Sequence, residues 1–272
     1  MALPRIVVVF LGSALALLVF HYAEGAGEMG VSYGRVASNL PPGQSVVQLL
    51  KQNGITMINS VAVGNEVFDS SLALTPDLVP AMTNVQAALA MLGLGDAIKV
   101  STPIAFDTLK LPMPSLLQRT GSYLMINVYP FFAYKDHPDE ISLAYALGNT
   151  NPGVADHDAQ LTYYSLLDAQ LDATYHAMED LGFPGVSLVA TETGWASSGS
   201  SGSGPPHLSS RILRGGRRRL LDAAVGAAMI ANAQAYNNNN LINRVLAGKT
   251  GTPYRPNANM DVYISTGDNV SS

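Results

Sequence analysis

The chain has no cysteine among its 272 residues. That excludes a disulfide scaffold, a thiol nucleophile and a thiolate metal site, so core burial alone must hold the fold. Charge is sparse: Asp, Glu, Lys and Arg make up 13% of residues, and 15 basic residues stand against 20 acidic ones, for a formal net charge of −5. An acidic chain lacks the basic footprint of a nucleic-acid binder, and no nucleic-acid partner is expected. Aromatic residues reach only 7%, with one tryptophan, Trp195. Long apolar runs are missing beyond the first twenty residues, so no stable membrane anchor is expected. Hydrophobic residues nevertheless amount to 47%, which supports a sizeable core and argues against disorder.

The one long apolar run, Ile6 to Phe20, follows Arg5 and precedes the small residues Ala23 and Gly25. This pattern reads as a signal peptide over residues 1–25, an N-terminal anchor helix being the competing reading. Residues 26–272 are expected to form one secreted domain, extracellular or bound for a cell wall, acting as a monomer.

Apolar, β-branched runs alternate with helical spacing. Strands are predicted over 29–34, 55–64, 97–104, 123–129, 186–191 and 260–264. Helices are predicted over 45–52, 75–94, 115–120, 160–181 and 229–246. Such alternation builds a parallel sheet with helices outside. No crossover fits between residue 55 and Val61, so 55–64 is one strand only. The expected fold is α/β, a TIM-type (β/α)8 barrel that is incomplete, with about six strands visible where a closed barrel has eight. Residues 196–223, Ser/Gly/Pro-rich and then bearing Arg211, Arg214 and Arg217 to Arg219, read as a low-complexity insertion on a solvated loop.

Two of the apolar runs end in a glutamate: Val61-Ala62-Val63-Gly64-Asn65-Glu66 and Leu188-Val189-Ala190-Thr191-Glu192-Thr193-Gly194-Trp195. Carboxylates at strand C-termini lie at the mouth of an α/β barrel. A pair of them there points to glycoside hydrolysis, which needs a proton donor and a group to stabilise an oxocarbenium-like centre. Trp195 is a candidate sugar platform, with a flat face and an edge donor; a core tryptophan is the alternative. Tyr129 and Phe132 belong to an aromatic cluster past a strand end. Tyr33 and Asn127 also occupy barrel-mouth positions as sugar contacts.

Across these residues the chain resembles plant glycoside hydrolase family 17, the glucan endo-1,3-β-glucosidases. The resemblance rests on Gly30-Val31-Ser32-Tyr33-Gly34, Asn39-Leu40-Pro41 with Val46 to Lys51, Ala62 to Glu66, Asn127 to Tyr134, Thr191 to Trp195 and Gly251-Thr252-Pro253-Tyr254-Arg255-Pro256, in the family's order. It departs between Ile58 and Val61, where a strand and two helices are missing, within 196–223, and after Ile264. The resemblance implies a retaining mechanism on β-glucan without cofactor or metal. Glu66 is then the acid/base, its pKa raised by the neighbouring charge, and Glu192 the ionised nucleophile. Asn65 would bind the sugar 2-hydroxyl. A non-catalytic or poorly folding shortened homologue that at most binds β-glucan is the alternative, and aberrant splicing a third possibility.

The remaining polar clusters have simpler readings. Asp168 and Asp172, four apart on a predicted helix, read as solvated. Asp156-His157-Asp158 could bind metal by composition, but a turn or helix N-cap suits it better. His137, His176 and His207 have no partners arranged for a catalytic triad.

Overall fold

The computed structural model describes residues 59–107, 113–198 and 226–264, together with Ser45, Gln48 and Gln52, which are helical. The signal segment, the predicted strand at 29–34 and most of the arginine-bearing insertion lie outside the described residues.

In chain order, β1 (Ser60–Ala62) leads through the single turn α1 (Val67–Ser70) to α2 (Thr75–Met91). Next come β2 (Lys99–Ser101), β3 (Pro103–Ala105), α3 (Pro114–Thr120) and β4 (Leu124–Asn127). After them lie α4 (Pro130–Asp136), α5 (Leu143–Ala146) and the strands β5 (Val154–Asp156) and β6 (Leu161–Tyr163). The chain continues through α6 (Leu166–Asp180), β7 (Leu188–Thr193), α7 (Ile230–Tyr236), α8 (Asn243–Leu246) and β8 (Val262–Ile264).

The predicted strand at 97–104 divides at Thr102. Its first half, β2, pairs in parallel with β1 (Ser60 opposite Lys99), and its second half, β3, with β4 (Pro103 opposite Met125). β4 pairs with β7 and β7 with β8, again in parallel. Five strand positions therefore follow one another around an open parallel array, each reached by a helical crossover, as in an α/β barrel. Among the described residues this array does not close. Its middle is the core: Ile104, Leu124, Ile126, Leu188 and Ala190 are buried almost completely, whereas β1 is only partly covered. No described helix is long and apolar enough to cross a membrane.

Local chemistry explains where the helices start and stop. α2 has Pro76 and Asp77 in its first turn, where a missing N–H and a negative charge are both favourable. It buries Leu78 and Met82, one turn apart, and ends before Gly93, whose φ of 70° suits a left-handed stop. The predicted helix at 160–181 begins only at Leu166. Its first residues instead form β6, paired antiparallel with β5. Asp156 Oδ1 accepts the backbone N–H groups of Asp158 and Ala159 at 3.0 and 3.1 Å. That side-chain turn closes a hairpin in place of a helix start. The predicted helix at 229–246 is interrupted by a π-helical segment, Asn237–Ile242, between α7 and α8. There buried Asn240 donates to the Leu147 carbonyl at 3.0 Å, and its Oδ1 accepts from Ser165.

Asp168 and Asp172 are not solvated, contrary to the sequence reading. The segment 250–256 covers this side of α6. Asp172 is fully buried and accepts the Tyr254 N–H at 2.9 Å, and Asp168 pairs with Arg244 at 2.6 Å. Tyr254 and Arg255 also bond to Glu179, and the Tyr254 ring lies 4.1 Å from that of His176.

Candidate active site

Both strand ends that carry a glutamate contain one residue too many for regular pairing. At the first, the Val63 N–H donates to the Ser101 carbonyl and the Glu66 N–H to the Pro103 carbonyl, each at 2.9 Å. Three residues thus advance along one strand while two advance along its neighbour. At the second, Ile126 lies opposite Ala190 but Asn127 lies opposite Glu192, leaving Thr191 as the extra residue. A one-residue excursion of this kind re-aims the side chain that follows it. Gly64 makes the first excursion possible: its φ is +75°, and a Cβ there would stand 2.6 Å from Val67 Cγ2. Glu66 itself holds φ 48° and ψ 38°, a left-handed conformation that costs a non-glycine residue about 1–2 kcal/mol.

Asn127, at the end of β4, lies between the two glutamates. Its Nδ2 donates to Glu66 Oε1 at 3.0 Å and to Asn65 Oδ1 at 3.1 Å. Its Oδ1 accepts from Thr191 Oγ1 at 2.9 Å. On the other side, the Tyr129 hydroxyl donates to Glu192 Oε2 at 2.8 Å. Burial pushes the Glu192 carboxyl above its ordinary range. The Tyr129 hydrogen bond opposes that push, and the charge of Glu66 adds to it. The family resemblance implies an ionised Glu192. In the folded chain desolvation works against the Glu192 carboxylate, and Tyr129 supports it.

The other expected site residues divide. Asn65 is exposed at the strand end, and Tyr129 and Phe132 are half-buried with ring centroids 5.6 Å apart. Tyr33 lies outside the described residues. Trp195 is no open sugar platform: it is 4% exposed, and its Nε1–H already donates to the Ala227 carbonyl at 2.9 Å. Its ring packs on Phe131, Tyr236 and Tyr134 at 5.2, 5.7 and 6.0 Å. The indole is a core residue beneath the strand ends, because its faces and its one donor are taken within the protein. Sequence reasoning missed Thr191. The available signal was a hydroxyl within an apolar strand, which on burial needs a partner. Among the described residues, no group of three or more His, Asp or Glu side chains could hold a metal ion.

Known proteins are similar to this chain in sequence and in fold. The acidic isoform of glucan endo-1,3-beta-glucosidase from Zea mays is 32% identical over 324 residues, covering 92% of this chain and 87% of that protein. The chain belongs to family 17 of the glycosyl hydrolases. The family model matches residues 107–210, which carries it into the stretch that the sequence reading sets apart as an insertion. Glucan endo-1,3-beta-glucosidase GII of Hordeum vulgare is 38% identical over 222 residues, and there the chain spans only 56% of the relative's length. Among solved structures, CJP38, described as a beta-1,3-glucanase and allergen of Cryptomeria japonica pollen, superposes with a TM-score of 0.66 at 32% identity and 89% coverage of each chain. The open parallel array is thus part of a family 17 α/β barrel.

Proposed function

We propose that this family 17 protein is a secreted enzyme that cleaves 1,3-β-glucan with retention of configuration, using Glu66 and Glu192 as its carboxyl pair. The observation that carries this reading is the meeting of the two glutamates, far apart in sequence, on Asn127 and Tyr129 at neighbouring strand ends. Glu66 in its acid form gives its proton to the glycosidic oxygen as the C1–O bond breaks. A Glu192 carboxylate oxygen bonds to the anomeric carbon from the opposite face. Glu66, now a base, takes a proton from water, whose oxygen displaces Glu192. The Tyr129 hydroxyl favours the carboxylate form of Glu192 that this attack requires. Asn65, exposed beside the pair, is suited to meet a sugar hydroxyl.

The test is reducing-sugar release from a linear 1,3-β-glucan by the purified chain, with E192Q alongside. Cleavage by the parent and none by the variant supports the assignment. Cleavage by both overturns Glu192 as nucleophile. The open strand array favours one competing reading, a protein that binds glucan without cutting it; folded parent protein that binds glucan and releases no sugar would establish that instead.

A further inference from the structure

Thr193, the residue after Glu192, is completely buried, and its Oγ1 lies 2.5 Å from the hydroxyl of Tyr236, which is completely buried too. Either hydroxyl can donate, and the bond holds both ways. The Tyr236 ring also packs on Trp195, two residues further along. One side chain of α7 therefore grips the chain twice, immediately past Glu192. The strand is irregular at this point. Towards β8, Ala190 lies opposite Val262 and Thr193 opposite Ile264, so three residues of β7 advance against two of β8. Towards β4, Thr191 is the extra residue. Regular pairing thus lapses on both sides around Glu192, and a bulged strand depends on side-chain contacts for its course.

We propose that Tyr236, acting through the Thr193 hydroxyl, is a positioning residue that sets the place of Glu192 relative to the anomeric carbon. The inference rests on the nucleophile role assigned to Glu192 above. Tyr236 is suited to this because its own support is anchored. It directly precedes the π-helical segment Asn237–Ile242, in which buried Asn240 donates to the Leu147 carbonyl and accepts from Ser165. Gly148 leaves room for that contact, since a Cβ there would stand 2.8 Å from Asn240 Oδ1. A reacting group is held best by side chains that are themselves locked on a rigid element.

The test follows the nucleophile by itself. The reagent is a 1,3-β-linked oligoglucoside whose terminal sugar carries fluorine at C2 and 2,4-dinitrophenolate at the anomeric carbon. A Glu192 oxygen bonds to that carbon, the C1–O bond breaks, and dinitrophenolate leaves with the electron pair, needing no proton from Glu66. The fluorine slows hydrolysis of the ester, so labelling is read by mass. Y236F and T193V should each slow labelling about 10- to 100-fold at saturating reagent, as expected for a misplaced reacting group. The reagent's dissociation constant should change by less than about 3-fold, and T193S, which keeps the hydroxyl, should label within about 3-fold of the parent. Each of Y236F and T193V leaves one buried hydroxyl without its partner and should melt lower. The double variant removes both hydroxyls and should regain Tm, yet label no faster than the singles. Undiminished labelling of Y236F, or a rate that recovers with Tm in the double variant, would overturn the proposal and leave the proposed function standing. A folded parent chain that takes no label and cleaves no glucan would overturn the function and this inference together.

Discussion

Two clusters of carboxylates sit on this molecule, and they are built differently. Along α6, Asp168 faces Arg244, Asp172 takes a backbone N–H, and Glu179 holds Arg255 and the Tyr254 hydroxyl. At the strand ends, Glu192 has a phenol and another carboxylate as neighbours, and Glu66 is held by an amide. Burial pushes Asp168, Asp172 and Glu192 upward alike. The partner that opposes this push separates them. For Asp168 it is the cationic Arg244 guanidinium and for Glu192 the neutral Tyr129 hydroxyl, while a neighbouring carboxylate, Asp172 or Glu66, adds to the push at each. A carboxylate neutralised by a cation fastens one segment to another. One set beside a second carboxylate, at the open end of a parallel strand, is available for chemistry.

Substitutions break this contrast in graded ways. The largest effect is expected for E192Q on catalysis: loss of the nucleophile should lower kcat on 1,3-β-glucan about 10⁴-fold, read as reducing-sugar release. R244A tests the other cluster. It strands Asp168 in a site where both side chains are less than one-fifth exposed, so a destabilisation of about 3 kcal/mol is expected. A thermal melt should show Tm lower by roughly 6–12 °C, with kcat of the remaining folded protein unchanged.

G64A sharpens the geometric side. A Cβ at a φ of +75°, 2.6 Å from the stiff Val67 side chain, should cost about 1–2 kcal/mol. By displacing Glu66 it should also lower kcat about 10-fold. The two losses can be measured together by a melt and a rate.

The smallest effect is thermodynamic. A raised folded-state pKa means that the folded chain holds the Glu192 proton more tightly than the unfolded chain does. The associated stability is fully present at low pH and is lost as pH rises through the folded value. At neutral pH the buried carboxylate is therefore a cost, which glutamine lacks. E192Q should melt higher than the parent at about pH 7 and no higher at about pH 3, where Glu192 is protonated in both states. An equal or lower Tm at neutral pH would show that the Tyr129 hydrogen bond outweighs desolvation.

Much of the fold was legible because strand and helix spacing are local properties. The runs around Val61, Val100, Ile126, Val189 and Val262 each lie in or beside a strand of the array, and the alternation with helices made those strands parallel. Local pattern misled where a polar side chain chose between two local structures. Asp156 turned the chain into a hairpin, so that Leu161 and Tyr164, spaced as if on a helix, precede α6. Glu66 and Glu192 stood out as carboxylates closing apolar runs, and that reading came from sequence alone.

What only the tertiary structure decided is which polar and aromatic groups face one another. The chemistry of Trp195 fits a sugar platform or a core residue equally, and packing by Phe131, Tyr236 and the Ala227 carbonyl made it core. Asp168 and Asp172 looked solvated until Arg244 paired with the first and segment 250–256 folded over the second. Thr191 and Asn127 joined Glu66 to the strand of Glu192 through contacts 61 to 64 residues apart along the chain. Residue type and spacing set secondary structure and list the groups able to react, since both follow from short-range geometry. Burial and hydrogen-bond partnership depend on segments distant in sequence, so they exist only once the chain has packed.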